Sequence, residues 1–432
     1  MIAETTAGPV RGVPDGPVTA YLGIPYARAG RFAAPRPVPA WNGVRDASSP
    51  GPAAPQPPSR LERVMGAFHV PQAEDCLSLN VWAPPGGGHP VLVFVHGGGF
   101  TSGSGGLAWY GGAELAAGLV VVTVNYRLGV LGFLRAPGVS DGNLGLHDQL
   151  SALAWVRDNI AAFGGDPGNV TVAGQSAGAQ SILALLAGGR ARGLFRRAIL
   201  QSTPAGMAPD SPADAERNGR LLLEHLGTDP FDAPVDDLLA AQGAVARGTA
   251  APLSPVPPFQ LVAGGLVPED LTAAPGDVEI LMGTTRDEAA AFFAGDPRAA
   301  AMRPDELERT AARWFGDPGR ATPGGRTADR IAADMVTDHM FREPARRLAR
   351  TLTDSGNAPW LYRFDWDPGG PYGACHCIEL PFVLGTEAAW RDAPMLAGTR
   401  PSRLVREVRR AWTGFVRDGD PGWPRGTTRH FS

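Results

Sequence analysis

The stretch Val170-Thr171-Val172-Ala173-Gly174-Gln175-Ser176-Ala177-Gly178-Ala179 runs directly into Gln180-Ser181-Ile182-Leu183-Ala184-Leu185-Leu186. Its first residues suit a strand, the next five a very sharp turn, and the apolar run a helix. A turn this tight holds Ser176 in a strained backbone only if its neighbours carry almost no side chain. Glycine at 174 and 178 and alanine at 177 meet that condition. The hydroxyl of Ser176 then stands clear of a sheet, above a helix N-terminus that favours developing negative charge. The spacing G-x-S-x-G between strand and helix predicts a nucleophilic serine, whereas without that context it would read as a loop of small residues.

The alternation of strand and helix extends outward. Pro90 to Val95 and Leu119 to Val124 are continuous apolar runs, as expected for strands buried on both faces, while Leu77 to Trp82 alternates. Asp148 to Ile160 places apolar residues at helical spacing and stops before Gly164-Gly165. Phe195 to Ser202, Glu279 to Gly283 and Trp360 to Asp365 read as further strands, with helices between the last two, and Arg403 to Arg417 as an amphipathic closing helix. The pattern predicts an α/β fold with a mostly parallel central sheet covered by helices on both faces. Short strands and turns fill residues 1–60, and the proline-dense stretch from Pro50 to Pro58 reads as a surface loop. Residues 205–260 are helical and proline-broken, which suits a cap over the site. One domain over 1–432, with a cap-like insertion at approximately 205–265, is expected.

Composition narrows the function. With 44% hydrophobic and 19% charged residues, the 432-residue chain has ample material for a core. A net charge of −4 with interspersed signs attracts neither nucleic acid nor an anionic membrane surface. Met1-Ile2-Ala3-Glu4-Thr5 lacks the basic and apolar regions of a signal peptide, and the apolar runs are too short to span a bilayer. Cys76, Cys375 and Cys377 form no metal-ligand spacing and leave at least one thiol unpaired. A cytoplasmic, disulfide-free protein without metal or organic cofactor is expected.

Ser176 needs a base to take its proton and an acid to orient that base. His376 lies in Gly373-Ala374-Cys375-His376-Cys377-Ile378-Glu379, a small-residue loop beyond the strand that ends near Asp365. That is where the base falls when the chain order is serine, acid, histidine. His69, His89, His225, His339 and His430 have no such setting. For the acid, Asp287 and Glu288 follow the strand that begins at Glu279, on the sheet edge expected for Ser176. Spacing does not choose between them, and both also suit the first turn of a helix. His96-Gly97-Gly98-Gly99-Phe100 follows the strand ending at Val95, and its bare backbone N–H groups suit an oxyanion. A phosphate loop is the rival reading, but neither G-x-x-x-x-G-K-[ST] nor a proper G-x-G-x-x-G is present there.

Taken in order, these stretches resemble the type-B carboxylesterases, the carboxylesterase–cholinesterase family of α/β-hydrolases. The resemblance runs nearly end to end. It includes Glu74-Asp75-Cys76-Leu77-Ser78-Leu79-Asn80-Val81, His96 to Phe100, Asn125-Tyr126-Arg127-Leu128-Gly129, Gly142 to Gln149, Asn159 to Pro167, the serine turn, Asp287-Glu288, Trp412-Thr413-Gly414-Phe415 and Gly419-Asp420-Pro421. It implies an α/β-hydrolase fold with Ser176 as nucleophile, Glu288 as acid and His376 as base. It implies Gly98, Gly99 and Ala177 as oxyanion donors, Arg127 and Asp148 as structural polar residues, and a supporting place for Ser202 near the acid. The chemistry implied is hydrolysis of carboxylic esters through an acyl-enzyme, with acyl transfer, cyclisation or elimination on the same triad as the alternative. The substrate expected is a small ester, neutral and partly apolar.

Several positions depart from the family pattern. Gln175 stands where a glutamate usually precedes the nucleophile, which weakens any preference for cations. No tryptophan lies just before Glu74, where cholinesterases stack choline, and Cys76 has no upstream partner for the family's first disulfide. Cys377 and Ala289 replace glycines after the histidine and the acid, and the chain is shorter than its relatives around 205–260 and at the C-terminus, implying a trimmed cap.

Overall fold

Ten strands hydrogen-bond into one sheet in the computed structural model, which describes residues 1–272 and 278–432. In chain order they are β1 Val13–Asp15, β2 Val18–Pro25, β3 Ser78–Ala83, β4 His89–Val95 and β5 Val120–Val124. They continue as β6 Gly165–Gln175, β7 Arg197–Gln201, β8 Glu279–Thr285, β9 Trp360–Phe364 and β10 Thr428–Phe431. Across the sheet the order is β10-β9-β8-β7-β6-β4-β5-β3-β2-β1. The strands from β10 through β5 are parallel, and β3, β2 and β1 add antiparallel pairs at one side. The mostly parallel α/β architecture expected from the sequence is therefore present.

Side-chain parity explains the apolar runs. Val91, Val93 and Val95 of β4 join one hydrophobic cluster with Val120, Val122 and Val124 of β5. Leu92, Phe94 and Val121, one residue out of step, join a second cluster on the other face. Both faces are covered, so nearly every position is apolar, the buried Thr123 of β5 being paired with Asn80. The alternation in β3 means something else, because all six of its residues are buried. Asn80 Oδ1 accepts from the Gly23 N–H at 2.9 Å, and its Nδ2 donates to Gly105 O and Thr123 Oγ1 at 3.1 and 3.0 Å. Here alternation separates a polar from an apolar buried face, not inside from outside.

Helices flank the sheet. The first long one, α1 Leu144–Asn159, starts four residues before the expected Asp148. Asp148 is thus inside it, fully buried, and accepts from Arg127 Nε and Nη2 at 2.8 and 2.7 Å. The pair is a core ion pair, not a helix cap. Helix α2 Ala177–Ala187 follows Ser176 directly. Helices α3 Pro212–Leu226 and α4 Val235–Gly248 occupy most of 205–260, and α5 Ser402–Asp418 buries Leu404, Val408, Trp412 and Phe415 along one stripe. Strand β10 had no sequence signal, because Thr428, Arg429 and His430 are exposed at the sheet edge and only Phe431 is buried. No helix among the described residues is long and apolar enough to cross a membrane.

Candidate active site

Ser176 sits between β6 and α2 at φ 56° and ψ −123°, a backbone conformation that costs an L-residue on the order of 1–3 kcal/mol. The surroundings hold it there. Its N–H donates to Gln201 O of β7 at 2.9 Å. A Cβ at Gly178 would meet Val95 O at 2.2 Å, and one at Gly174 would meet the Gly178 carbonyl carbon at 2.6 Å. The two glycines let the helix lie directly against β6 and β4, the close approach the sequence demanded.

His376 reaches the same cleft from the loop after β9. Its Nδ1 lies 2.5 Å from Glu288 Oε2, with both side chains essentially fully buried. Glu288 is fixed in turn: its Oε1 accepts from the Thr285 N–H at 2.8 Å, and its carbonyl accepts from the His376 N–H at 3.1 Å. Asp287 turns the other way and pairs with Arg286 and Arg330, each at 2.7 Å, while accepting from the Ala374 N–H at 3.0 Å. Adjacent in sequence, the two carboxylates point at different partners.

The second imidazole nitrogen has an unexpected neighbour. Gln175 Nε2 lies 3.1 Å from His376 Nε2, and no hydrogen bond joins that nitrogen to Ser176 Oγ. With Nδ1–H given to Glu288, Nε2 carries the lone pair and accepts from the Gln175 amide. A glutamine at 175 can donate to a neutral imidazole; a glutamate could not. Gln175 is visible in the sequence as a departure from the family pattern, but the placing of its amide on the imidazole is a contact across 201 residues that no local pattern encodes.

Gly97, Gly98 and Gly99 line the cleft beside Ser176 and Ala177. Gly98 has φ 112°, and a Cβ on it would lie 1.9 Å from Ser102 O, so no other residue fits. Among the hydrogen bonds of the described residues, the N–H groups of Gly98, Gly99 and Ala177 have no acceptor within the chain. The loop is propped from behind by His96, whose ring stacks on Tyr126 at 4.4 Å and whose Nδ1 lies 2.7 Å from Gly97 O. Burial pushes the His96 imidazole down to about 4, so at neutral pH it is an uncharged prop.

Two further features lie under the imidazole. Cys377 has φ 74°, the left-handed region where a glycine would be unstrained, which accounts for glycine being the usual residue after the histidine. Glu379 is fully buried; its Oε1 accepts from Gln201 Nε2 at 3.2 Å and its Oε2 has no partner among the described residues. Burial first, then the nearby Glu288 charge, pushes its carboxyl from 4.5 up to about 7. Its position three residues after His376 was visible in sequence, but its burial was not. Ser202 Oγ is buried without a hydrogen-bond partner, so no bond ties it to Glu288. His69, His89, His225, His339 and His430 do not line the cleft.

The cleft is about 830 Å³ and largely apolar. Phe292 and Phe341 flank the imidazole at 5.5 and 5.1 Å, and Leu107, Trp109 and Met340 extend the wall. Pro204, Met207, Pro255 and Pro257 reach it from around α3 and α4. No cluster of three or more potential metal-ligating side chains occurs among the described residues.

Comparison with known proteins matches residues 1–430 to the model of the carboxylesterase family. A probable N-octanoylanthranilate hydrolase of Rhodococcus erythropolis is 44% identical over 98% of this chain and 95% of its own. The phenmedipham hydrolase of Pseudarthrobacter oxydans is 38% identical over 97% and 90%. A solved PNB esterase superposes with a TM-score of 0.87 at 34% identity, covering 100% of this chain and 96% of the other.

Proposed function

The chain belongs to the carboxylesterase family, and from that premise we propose that Ser176, His376 and Glu288 carry its chemistry as nucleophile, base and acid. The chain is a carboxylic ester hydrolase of that family, acting on small-molecule esters. In the proposed cycle, Ser176 Oγ attacks the ester carbonyl as its proton passes to His376 Nε2. The Glu288 carboxylate holds Nδ1–H and stabilises the imidazolium that forms. The oxyanion of the tetrahedral intermediate accepts from the N–H groups of Gly98, Gly99 and Ala177. His376 returns the proton to the departing alkoxide, and water repeats the sequence on the acyl-enzyme to release the acid and restore Ser176.

One observation carries this reading: the His376 Nδ1–Glu288 Oε2 contact of 2.5 Å in a cleft that also holds the strained Ser176 and three backbone N–H groups without acceptors. In this cycle Gln175 has to yield Nε2 to the Ser176 hydroxyl, a shift of one hydrogen bond. The group seated against the triad is proposed to be uncharged and apolar, in keeping with Phe292, Phe341, Leu107 and Trp109 around it. One domain with residues 205–265 as its cap is part of the same proposal, supported by the reach of Met207, Pro255 and Pro257 into the cleft. A cytoplasmic setting is proposed too, on three buried cysteines that are all free thiols.

The test compares the chain with Ser176→Ala on p-nitrophenyl acetate, butyrate and octanoate. Turnover should fall by roughly 10⁴-fold or more in the variant on every ester. Residual turnover close to that of the unaltered chain would remove Ser176 from the mechanism. A stoichiometric burst without turnover would instead favour acyl transfer or cyclisation.

A further inference from the structure

Among the described residues, Arg60 is the one Lys, Arg, Asp or Glu side chain that lines the catalytic cleft. It is exposed at the rim, where its Nη1 donates to Pro255 O at 2.7 Å. That bond holds the guanidinium in place, while Nε and Nη2 have no hydrogen-bond partner and no ion pair among the described residues. Arg60 and Phe292 also line an outer pocket of about 1860 Å³, so they form the seam between the two spaces. The seam is fastened, since Phe292 O accepts from Arg63 Nη2 at 2.7 Å.

The outer pocket repeats the imbalance. Arg298, Arg309 and Arg313 line it with Asp296 and Glu306. Both carboxylates are engaged elsewhere: Asp296 accepts from the backbone N–H groups of Arg298 and Ala299, and Glu306 from Arg303. Arg309 pairs with Asp305, whereas Arg298 and Arg313, like Arg60, have no carboxylate partner among the described residues. A chain of net charge −4 thus presents a positive approach to an apolar cleft. Beneath it, the residue before the nucleophile is the neutral Gln175, which does not repel an anion.

We propose that Arg60 is a carboxylate subsite of the catalytic cleft, and that the preferred substrate is an ester with an apolar body and a carboxylate at the end remote from the scissile bond. The inference rests on the ester-hydrolase reading of the cleft. The apolar body lies along the Phe292 and Trp109 walls, and the unpartnered edge of the guanidinium takes the carboxylate through two parallel N–H bonds. The unpaired arginines of the outer pocket raise the local concentration of such an anion on its way in.

Two matched substrate pairs test this: 4-(octanoyloxy)benzoate against phenyl octanoate, and mono-p-nitrophenyl suberate against p-nitrophenyl octanoate. The readout is the ratio of kcat/KM for the charged over the neutral member. In at least one pair, the pair also showing which end faces Arg60, the ratio should fall by roughly tenfold or more in Arg60→Gln and less in Arg60→Lys. Rising NaCl should lower the same ratio in the unaltered chain and leave it level in Arg60→Gln. Ratios in both pairs that are indifferent to residue 60 and to salt overturn the subsite. Binding of 4-(octanoyloxy)benzoate and phenyl octanoate to Ser176→Ala, with and without Arg60→Gln, is read by calorimetry. That measurement needs no turnover, so absent hydrolysis with an Arg60-dependent preference for the anion would sink the esterase reading and keep the subsite.

Discussion

The floor of the cleft and its mouth are built in opposite ways. On the floor, Ser176, His376, Glu288 and the Gly97–Gly99 loop are held by hydrogen bonds and close backbone packing. The serine is pinned to Gln201 O, the carboxylate to Thr285 N–H, and Gly98 is packed against Ser102. At the mouth, Arg60 has a single side-chain hydrogen bond, to Pro255 O, and keeps an exposed face although the surrounding protein desolvates its guanidinium and lowers its pKa. Floor geometry tolerates almost no displacement, because reacting atoms and oxyanion donors have to match a transition state. Mouth geometry has only to sort substrates, and looser contacts suffice. A substitution on the floor should therefore act on kcat, and one at the mouth on the ratio between substrates.

The largest expected effect that tests this contrast is at Gly98. In Gly98→Ala the new methyl meets Ser102 O at 1.9 Å and the residue is held at φ 112°, so the oxyanion loop has to move. We expect kcat on p-nitrophenyl butyrate to drop by about 10²-fold or more with little change in KM. A variant altered mainly in KM would erase the distinction between floor and mouth.

A smaller effect is expected at Gln175, which touches His376 Nε2 at 3.1 Å. Glutamate there would place a negative charge against the imidazole and favour its protonated form. The acid limb of the pH–kcat/KM profile should move to higher pH in Gln175→Glu, leaving roughly tenfold lower activity near pH 6 than in the unaltered chain. Superimposable profiles would show that the contact has no bearing on the base.

The smallest effect is on stability. The Glu379 carboxyl is raised from 4.5 to about 7, so the folded state binds its proton more tightly than the unfolded chain does. Its contribution is full below about pH 4.5 and is lost as pH rises towards 7. His96, lowered from 6.5 to about 4, works in the other direction and costs stability as pH falls through that window. Removing Glu379 leaves the His96 slope unopposed. The melting temperature of Glu379→Gln relative to the unaltered chain should climb by a few degrees between pH 5 and pH 8, for a difference on the order of 1–3 kcal/mol. A difference that is constant over this range would mean that Glu379 does not titrate there.

Much of the fold was legible locally. The apolar runs of β4 and β5, the small residues around Ser176 and the amphipathic stripe of α5 each state their environment within a dozen residues. Short β10 did not, since an edge strand with exposed side chains leaves no apolar pattern. The alternation of β3 was visible, but its polar face turned out to be buried against Gly23, Gly105 and Thr123.

What the sequence determined by itself are the features whose cause lies within one segment: strand and helix periods, the serine turn with its glycines, the bare Gly97-Gly98-Gly99 loop. What only the tertiary structure decided are side-chain directions between distant segments. Gln175 covers Nε2 across 201 residues and Arg60 is tied to Pro255 across 195, while Glu288 over Asp287, left open by spacing and implied by the family resemblance, faces the imidazole across 88. The physical reason is that propensity and period act through neighbouring backbone atoms, whereas which rotamer faces which partner is set by packing that exists only once the whole sheet has formed.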